Sequence, residues 1–247
     1  PLDQADEMDI LEANGTVNFG SNKAYRAMLK KIKAGSPATN PDDLQYILDN
    51  VDVDNLFEYM ALEMFVGNSD IGNIRYYRLH QEGSKWKWIW YDADYGLYSS
   101  KFNSPWSYLK VKGMGEQKID NTIFLKLLEH PDYKRKFLEK LADVYKTFTT
   151  EYMTQVLDGV VAEIQPEMKN HWERWGELND KAVTSEVPTT IDGAYTYWES
   201  RVNRLYNTLK VRPHRLWDFI KDEFKLTKTE MEELFGPQPD YPDDAVL

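Results

Sequence analysis

Apolar positions recur at helical spacing along most of the chain and alternate in one short stretch, and that contrast divides it. From Asn22 to Lys33, Tyr25, Met28, Leu29 and Ile32 share a helical face, and the segment GSPATNP ends the helix. Asn40 caps the next helix, with Pro41 at its first position and Leu44, Ile47, Leu48 and Val51 on one face. A third helix, after Asp54, buries Phe57, Met60, Ala61 and Met64 and stops at Gly67. Further helices are predicted from Pro131 (Tyr133, Phe137, Leu141, Val144, Phe148) and from Thr150 (Met153, Val156, Leu157, Val160, Ile164). Two more follow, one through Trp198, Val202, Leu205 and Leu209 and one from Pro213 to about Phe224. Thr227 and Glu230 form a capping-box pair ahead of Met231, Leu234 and Phe235.

The alternating stretch lies within residues 66 to 96, VGNSDIGNIRYYRLHQEGSKWKWIWYDADYG. A turn at Gln81 to Ser84, with Gly83 in it, separates two runs rich in aromatic and β-branched residues, Ile74 to Leu79 and Lys85 to Tyr91. Counting outward from the turn sets Tyr76 opposite Ile89 and Asn73 opposite Asp92. Paired strands lie about 4.8 Å apart, so Asn73 and Asp92 become neighbours, with Asp70 and Asp94 just beyond the ladder. A slip of one residue would send Asn73 and Asp92 to opposite faces. Trp86, Trp88 and Trp90 alternate onto one face and are expected as core beneath the helices rather than as a sugar-binding platform. Arg75, Arg78 and Lys85 are expected on a solvated strand face.

Around these elements, residues 1–21 are acidic and then Gly/Asn-rich and are expected as a flexible arm, ordered only against another part of the molecule. Residues 97–120 lack periodicity and are expected as one long loop. The Pro/Asp-rich segment 236–247 is expected as a disordered tail or linker. No internal repeat is present. The fold class is therefore α+β and predominantly helical, a helical body over 22–235 with a hairpin embedded at 73–92.

Composition narrows the partners. The chain has 247 residues, with 41 acidic against 30 basic and a formal net charge of −11. That balance argues against a general nucleic-acid or anionic-membrane binder, since both polyanions need a basic patch; a basic protein or a metal-bound anion suits it better. No run approaches the ~20 apolar residues of a membrane span. With no cysteine in the chain, disulfides, thiolate metal sites and cysteine nucleophiles are excluded. The four histidines, His80, His130, His171 and His214, show no ligand spacing. Phosphate-loop, GxGxxG, HExxH and GxSxG signatures are absent. Paired carboxylates could serve a glycoside hydrolase, so that chemistry stays open at this point.

Asp70, then Asn73, a hairpin, and Asp92-Ala-Asp94-Tyr-Gly96 also form the order in which protein kinases carry a catalytic aspartate and two metal-binding groups. The sequence resembles the CotH kinase family, the atypical kinase-like proteins named for spore coat protein H. VDVDNLFEYMALEMFVGNSD (51–70), NIRYYRL (73–79) and KWKWIWYDADYG (85–96) carry the resemblance, which extends over most of 22–225. It implies the C-terminal lobe of a protein-kinase-like fold, with the hairpin at the active site. By position, Asp70 would be the catalytic aspartate beside the acceptor hydroxyl. Asn73 and Asp92 would bind Mg²⁺ or Mn²⁺, and Asp94 would be a second ligand or a support to it. The activity implied is transfer of the ATP γ-phosphate to Ser/Thr hydroxyls of a protein, such as a basic or Ser-rich coat or surface protein. The setting implied is a spore surface or an extracellular cell surface.

Two departures bear on this expectation. Tyr91 stands where the family usually has Trp. Nothing before Asn22 resembles the preceding lobe that supplies much of the ATP pocket, and the chain opens at Pro1 without Met. The expectation is therefore a C-terminal part of a longer protein that folds alone but phosphorylates poorly or not at all. The alternatives are a non-catalytic pseudokinase or assembly module that docks protein or polysaccharide, and, third, a carboxylate-based glycan hydrolase.

Overall fold

The computed structural model describes residues 7–111, 118–182 and 187–243; side chains are described outside 176–186. Two compact units emerge, one from residues 1–147 with 215–238 and one from 148–214 with 239–247, in place of the single body expected over 22–235.

The first unit opens with strands β1 (Met8–Glu12) and β2 (Thr16–Phe19), followed by helices α1 (Lys23–Ala34), α2 (Pro41–Asn50) and α3 (Val53–Val66). Strands β3 (Arg75–Leu79) and β4 (Lys87–Ile89) come next, then α4 (Ser104–Lys110), α5 (Thr122–Leu128) and α6 (Pro131–Thr147). All four strands form one antiparallel sheet in the order β2-β1-β3-β4. The expected flexible arm is thus corrected over 8–19. Its acidic residues find partners in the chain itself, with Glu12 opposite Arg75 and Asp9 opposite Arg78. Leu11 is fully buried, and the buried Asp9 carboxylate accepts from the Ser21 amide at 2.7 Å and meets His80 at 3.1 Å. Residues 1–6 lie outside the described residues.

α3 is the axis of this unit and packs against α4, α6 and β4. Phe57 on α3 meets Phe124 of α5 and Phe137 of α6 edge-on, at 6.2 and 5.4 Å between ring centroids. Tyr25, Tyr76 and Trp86 form a second aromatic cluster between α1 and the sheet. The caps at Asn40 and Thr227 stand where the sequence placed them, whereas α3 starts two residues ahead of the expected start after Asp54. Asn40 accepts from the Asp42 amide, Asp52 from the Asn55 amide, and Thr227 and Glu230 cap each other at the start of α10 (Lys228–Phe235). The long loop expected over 97–120 is interrupted by α4, which Asn103 caps by accepting from Trp106; 112–117 lie outside the described residues.

The second unit holds α7 (Thr150–Ile164), α8 (Met168–Ala182) and the first part of α9 (Ile191–Phe224). Two helices were expected where α9 runs unbroken, because Pro213 cannot donate the bond its turn requires. Pro213 lies inside α9, and the carbonyl it cannot serve, that of Leu209, accepts from Thr150 Oγ1 at 3.1 Å. Arg212, next to the proline, is fully buried, and burial lowers its pKa to about 10. The expected disordered tail is in place as far as residue 243. The Pro239 carbonyl is 2.7 Å from His214 Nδ1, and Tyr241 packs edge-on against the same ring.

Candidate functional site

The hairpin differs from its expected register by one residue: Arg75 faces Ile89, Tyr76 faces Trp88 and Tyr77 faces Lys87. The turn stands as expected, with the Ser84 amide bonded to Gln81 O. The slip arises on the outer edge. Trp86 pairs with Val51 at the α2–α3 junction, through Trp86 N to Asn50 O at 2.9 Å and Asp52 N to Trp86 O at 3.0 Å. Asn55 of α3 then continues the edge, its Oδ1 accepting from Trp88 N at 2.6 Å. Trp86 and Trp88 are buried in the core as expected; Trp90 is 39 % exposed.

That slip places Asn73 opposite Tyr91 rather than Asp92, and Tyr91 OH donates to Asn73 Oδ1 at 2.5 Å. Asp92 nevertheless reaches Asn73, because its backbone turns left-handed at φ +53° directly after Tyr91, a conformation that Asp tolerates better than most residues. Asn73 Nδ2 then donates to Asp92 Oδ2 at 2.7 Å. The expected neighbours do meet, by a turn of the chain instead of by strand pairing.

Two anchors bring the loops together. Gly67 ends α3 at φ +65°, and its amide and that of Asn68 both donate to Glu63 O. Asn68 Oδ1 accepts from the Asp70 amide at 3.1 Å, and Asn73 N donates to Asp70 O, so 68–73 is a chain of tight turns pinned by buried Ile71 and Ile74. The second loop docks where Leu97 N donates to Val66 O at 2.6 Å. A side chain at 96 forces its neighbours to shift, since a Cβ there would stand 2.8 Å from Ala93 O and 3.0 Å from Val66 Cγ2.

Asp70 and Asn73 are half-buried and Asp92 and Asp94 are exposed. Among the described residues no group of three or more His, Asp or Glu side chains is placed to hold a metal ion. The convergence given by direct contact is the Asn73–Asp92 pair. Its oxygens are of the hard type that Mg²⁺ and Mn²⁺ take, and two side chains leave coordination positions for water and phosphate, as Mg²⁺ sites generally do. The orientation of the Asn73 amide is fixed by chemistry. A carboxylate only accepts hydrogen bonds, so Nδ2 faces Asp92 and Oδ1 faces Tyr91. For Asn73 Oδ1 and Asp92 to face one cation, the amide must turn over and release both bonds.

Beneath the loop lies a cluster that the sequence pattern did not single out. Glu63, 1 % exposed, accepts from Tyr108 OH of α4 through Oε2 at 2.7 Å, and Tyr59 and Asn68 stand beside the same carboxyl. Burial raises its pKa, against the opposing effect of Tyr108, Tyr59 and Asn68 beside the carboxyl; the Asp70 charge adds to the rise. Burial also raises the Tyr59 and Tyr108 phenols well above their usual value. The available signal was an acid on the apolar face of the run LFEYMALEMFV, at helical spacing from Tyr59 and Gly67, where the run's other acid, Glu58, is exposed. Arg75, expected on a solvated face, lies over the Tyr91 ring at 4.7 Å and 3.8 Å from Glu12.

The structure is thus a mostly helical α+β protein with an Asn73–Asp92 contact at the open end of a hairpin. The chain belongs to the CotH kinase protein family, whose model matches residues 3–216, and its general function is therefore kinase-like. The match begins ahead of Asn22 and takes in β1 and β2. No curated protein and no solved structure matches it.

Proposed function

We propose that this chain is the catalytic part of an atypical, metal-dependent protein kinase that transfers the γ-phosphate of ATP to Ser/Thr hydroxyls of a protein. The observation that carries this reading is the contact between Asn73 and Asp92, reached from two loops, with Asp70 three residues before Asn73. Asp70 would accept the hydrogen bond of the acceptor hydroxyl and orient it toward the phosphorus. Asn73 and Asp92 would hold Mg²⁺ or Mn²⁺, with Asp94 as a second ligand or support. The metal, when bound, neutralises charge on the phosphates. The helical body with its embedded hairpin is read as the C-terminal lobe of a kinase-like fold. Family membership supports ATP and a divalent cation as co-substrate and cofactor, and a spore-surface or extracellular setting. The acidic chain favours a basic or Ser-rich protein acceptor.

Calorimetric titration of the protein with MnCl₂ and ATP tests the assignment. Asp92→Ala abolishes metal binding, Asp70→Ala spares it, and both abolish incorporation of labelled phosphate into protein. Metal-independent ATP binding, or none, overturns it.

A second reading, a pseudokinase or assembly module, draws on the Tyr91 and Asp92 bonds that hold Asn73 turned away from a chelating pose. It also draws on the exposed aromatics Trp90, Tyr95, Tyr98 and Trp106. Metal binding without phosphate incorporation into any protein would favour it.

A further inference from the structure

Glu63 lies seven residues before Asp70, on the last turn of α3, and has no place in the chemistry just described. Its environment is nonetheless unusual. A carboxyl that is almost wholly buried ordinarily has both oxygens hydrogen-bonded, since an unmet one carries the full cost of leaving water. Here Oε2 accepts from Tyr108 OH at 2.7 Å, and Tyr59 and Asn68 stand beside the same carboxyl and favour its charged form.

The same residue grips the loop through its backbone. Glu63 O accepts from Gly67 N at 3.0 Å and from Asn68 N at 3.2 Å. Asn68, itself 1 % exposed, then accepts from the Asp70 amide, and Asp70 O accepts from Asn73 N. On the opposite side, Tyr108 ties α4 to the same point, and Asn121 Nδ2 donates to Tyr108 O at 3.0 Å. The backbone bonds survive truncation of the side chain; what the carboxyl itself adds is its bond to Tyr108 OH, which also stands 3.5 Å from Asn68 O, and the Asn68 side chain beside it, so α4, Glu63 and the start of the loop meet at one point. Replacing a buried ionic group by apolar side chains of similar volume is often neutral or stabilising, so stability alone does not account for Glu63.

We infer that Glu63 is a positioning residue: with Tyr108 and Asn68 it fixes the loop that presents Asp70 and Asn73, and it touches neither metal nor substrate. Its effect on turnover rests on the kinase reading above; its effect on the loop does not. What matters is an acceptor of the right shape facing Tyr108, a role that glutamine can fill and alanine cannot.

The test compares Glu63→Ala, Glu63→Gln and Tyr108→Phe in the 247-residue chain, at a temperature where each remains folded by circular dichroism. Amide hydrogen exchange at Asp70 and Asn73 should quicken about tenfold or more in Glu63→Ala, less in Tyr108→Phe, and little in Glu63→Gln. Metal-dependent ATP turnover should fall about 10- to 100-fold in kcat for Glu63→Ala, the scale of a loss of about 1 Å in positioning. KM for ATP should change less than about threefold, and Glu63→Gln should recover most of the loss. A merely structural role would lower melting temperature without a kcat-against-KM split or a rescue by glutamine. Unchanged exchange at Asp70 and Asn73 in a folded Glu63→Ala protein overturns the inference. A wild-type protein without ATP turnover overturns the kinase reading instead, and the exchange comparison still decides the role of Glu63.

Discussion

The substitution Gly96→Ala probes the joint on which the site depends. A Cβ at this position would lie 2.8 Å from Ala93 O and 3.0 Å from Val66 Cγ2, whereas ordinary contact begins near 3.4 Å. Backbone and side chain must therefore separate by about half an ångström, and forcing extra volume into a packed site costs about 1–3 kcal/mol. The displacement pulls directly on Leu97 N–Val66 O, whose loss adds about 1 kcal/mol. Because Val66 is only half-buried and can yield, a total near 2 kcal/mol is expected. For a domain of this size that lowers Tm by roughly 4–8 °C, as measured by scanning calorimetry. The same shift moves Asp92, four residues earlier, away from Asn73, so Mn²⁺ affinity in a parallel titration should weaken. A Tm within about 1 °C of wild type would refute the steric argument. A lowered Tm with unchanged Mn²⁺ affinity would refute the claim that this joint places Asp92.

Other consequences are equally open to measurement. Tyr91→Phe removes the hydroxyl that holds Asn73 Oδ1 away from Asp92; one neutral hydrogen bond is worth about 1 kcal/mol, so Mn²⁺ should bind about fivefold more tightly by calorimetry. Leu11→Ala, at a fully buried position of β1, should cost about 2–5 kcal/mol in urea unfolding, whereas a free arm would cost nothing. Thr150→Val should destabilise by about 1–2 kcal/mol by leaving the Leu209 carbonyl unpaired, and Pro213→Ala in that background should restore it by supplying an N–H. Glu63 sets a pH dependence. Its pKa is raised in the folded state above an ordinary value near 4.5, so the folded chain holds the proton longer than the unfolded one. That contribution to stability is full below about 4.5 and is lost as pH rises through the raised value. Glu63→Gln should therefore gain stability relative to wild type between pH 4.5 and neutrality, as followed by urea denaturation across pH.

Local chemistry made much of this protein legible in its sequence. Asn40 and Thr227 satisfy the free amides of helix starts and Gly67 relieves a helix end, requirements that arise within a few residues of the cap itself. The Asp70–Asn73 and Asp92–Asp94 pattern was visible for the same reason: a short hairpin returns the chain to where it started. Tertiary structure decided the rest, because those outcomes depend on partners distant in sequence. Val51 and Asn55 claim the edge of β4 and shift the register by one, so that Tyr91 faces Asn73 and only the left-handed turn at Asp92 restores the pair. Met8–Glu12 looks like a solvated arm until β3 supplies Arg75 and Arg78 opposite its acids. Pro213 would end a helix by itself, but Thr150 supplies the bond that the proline cannot. Glu63 is one of three acids in α3 until α4 folds over it and sets Tyr108 against its carboxyl. In each case the residue's own chemistry names what it needs, and only the fold determines which distant group provides it.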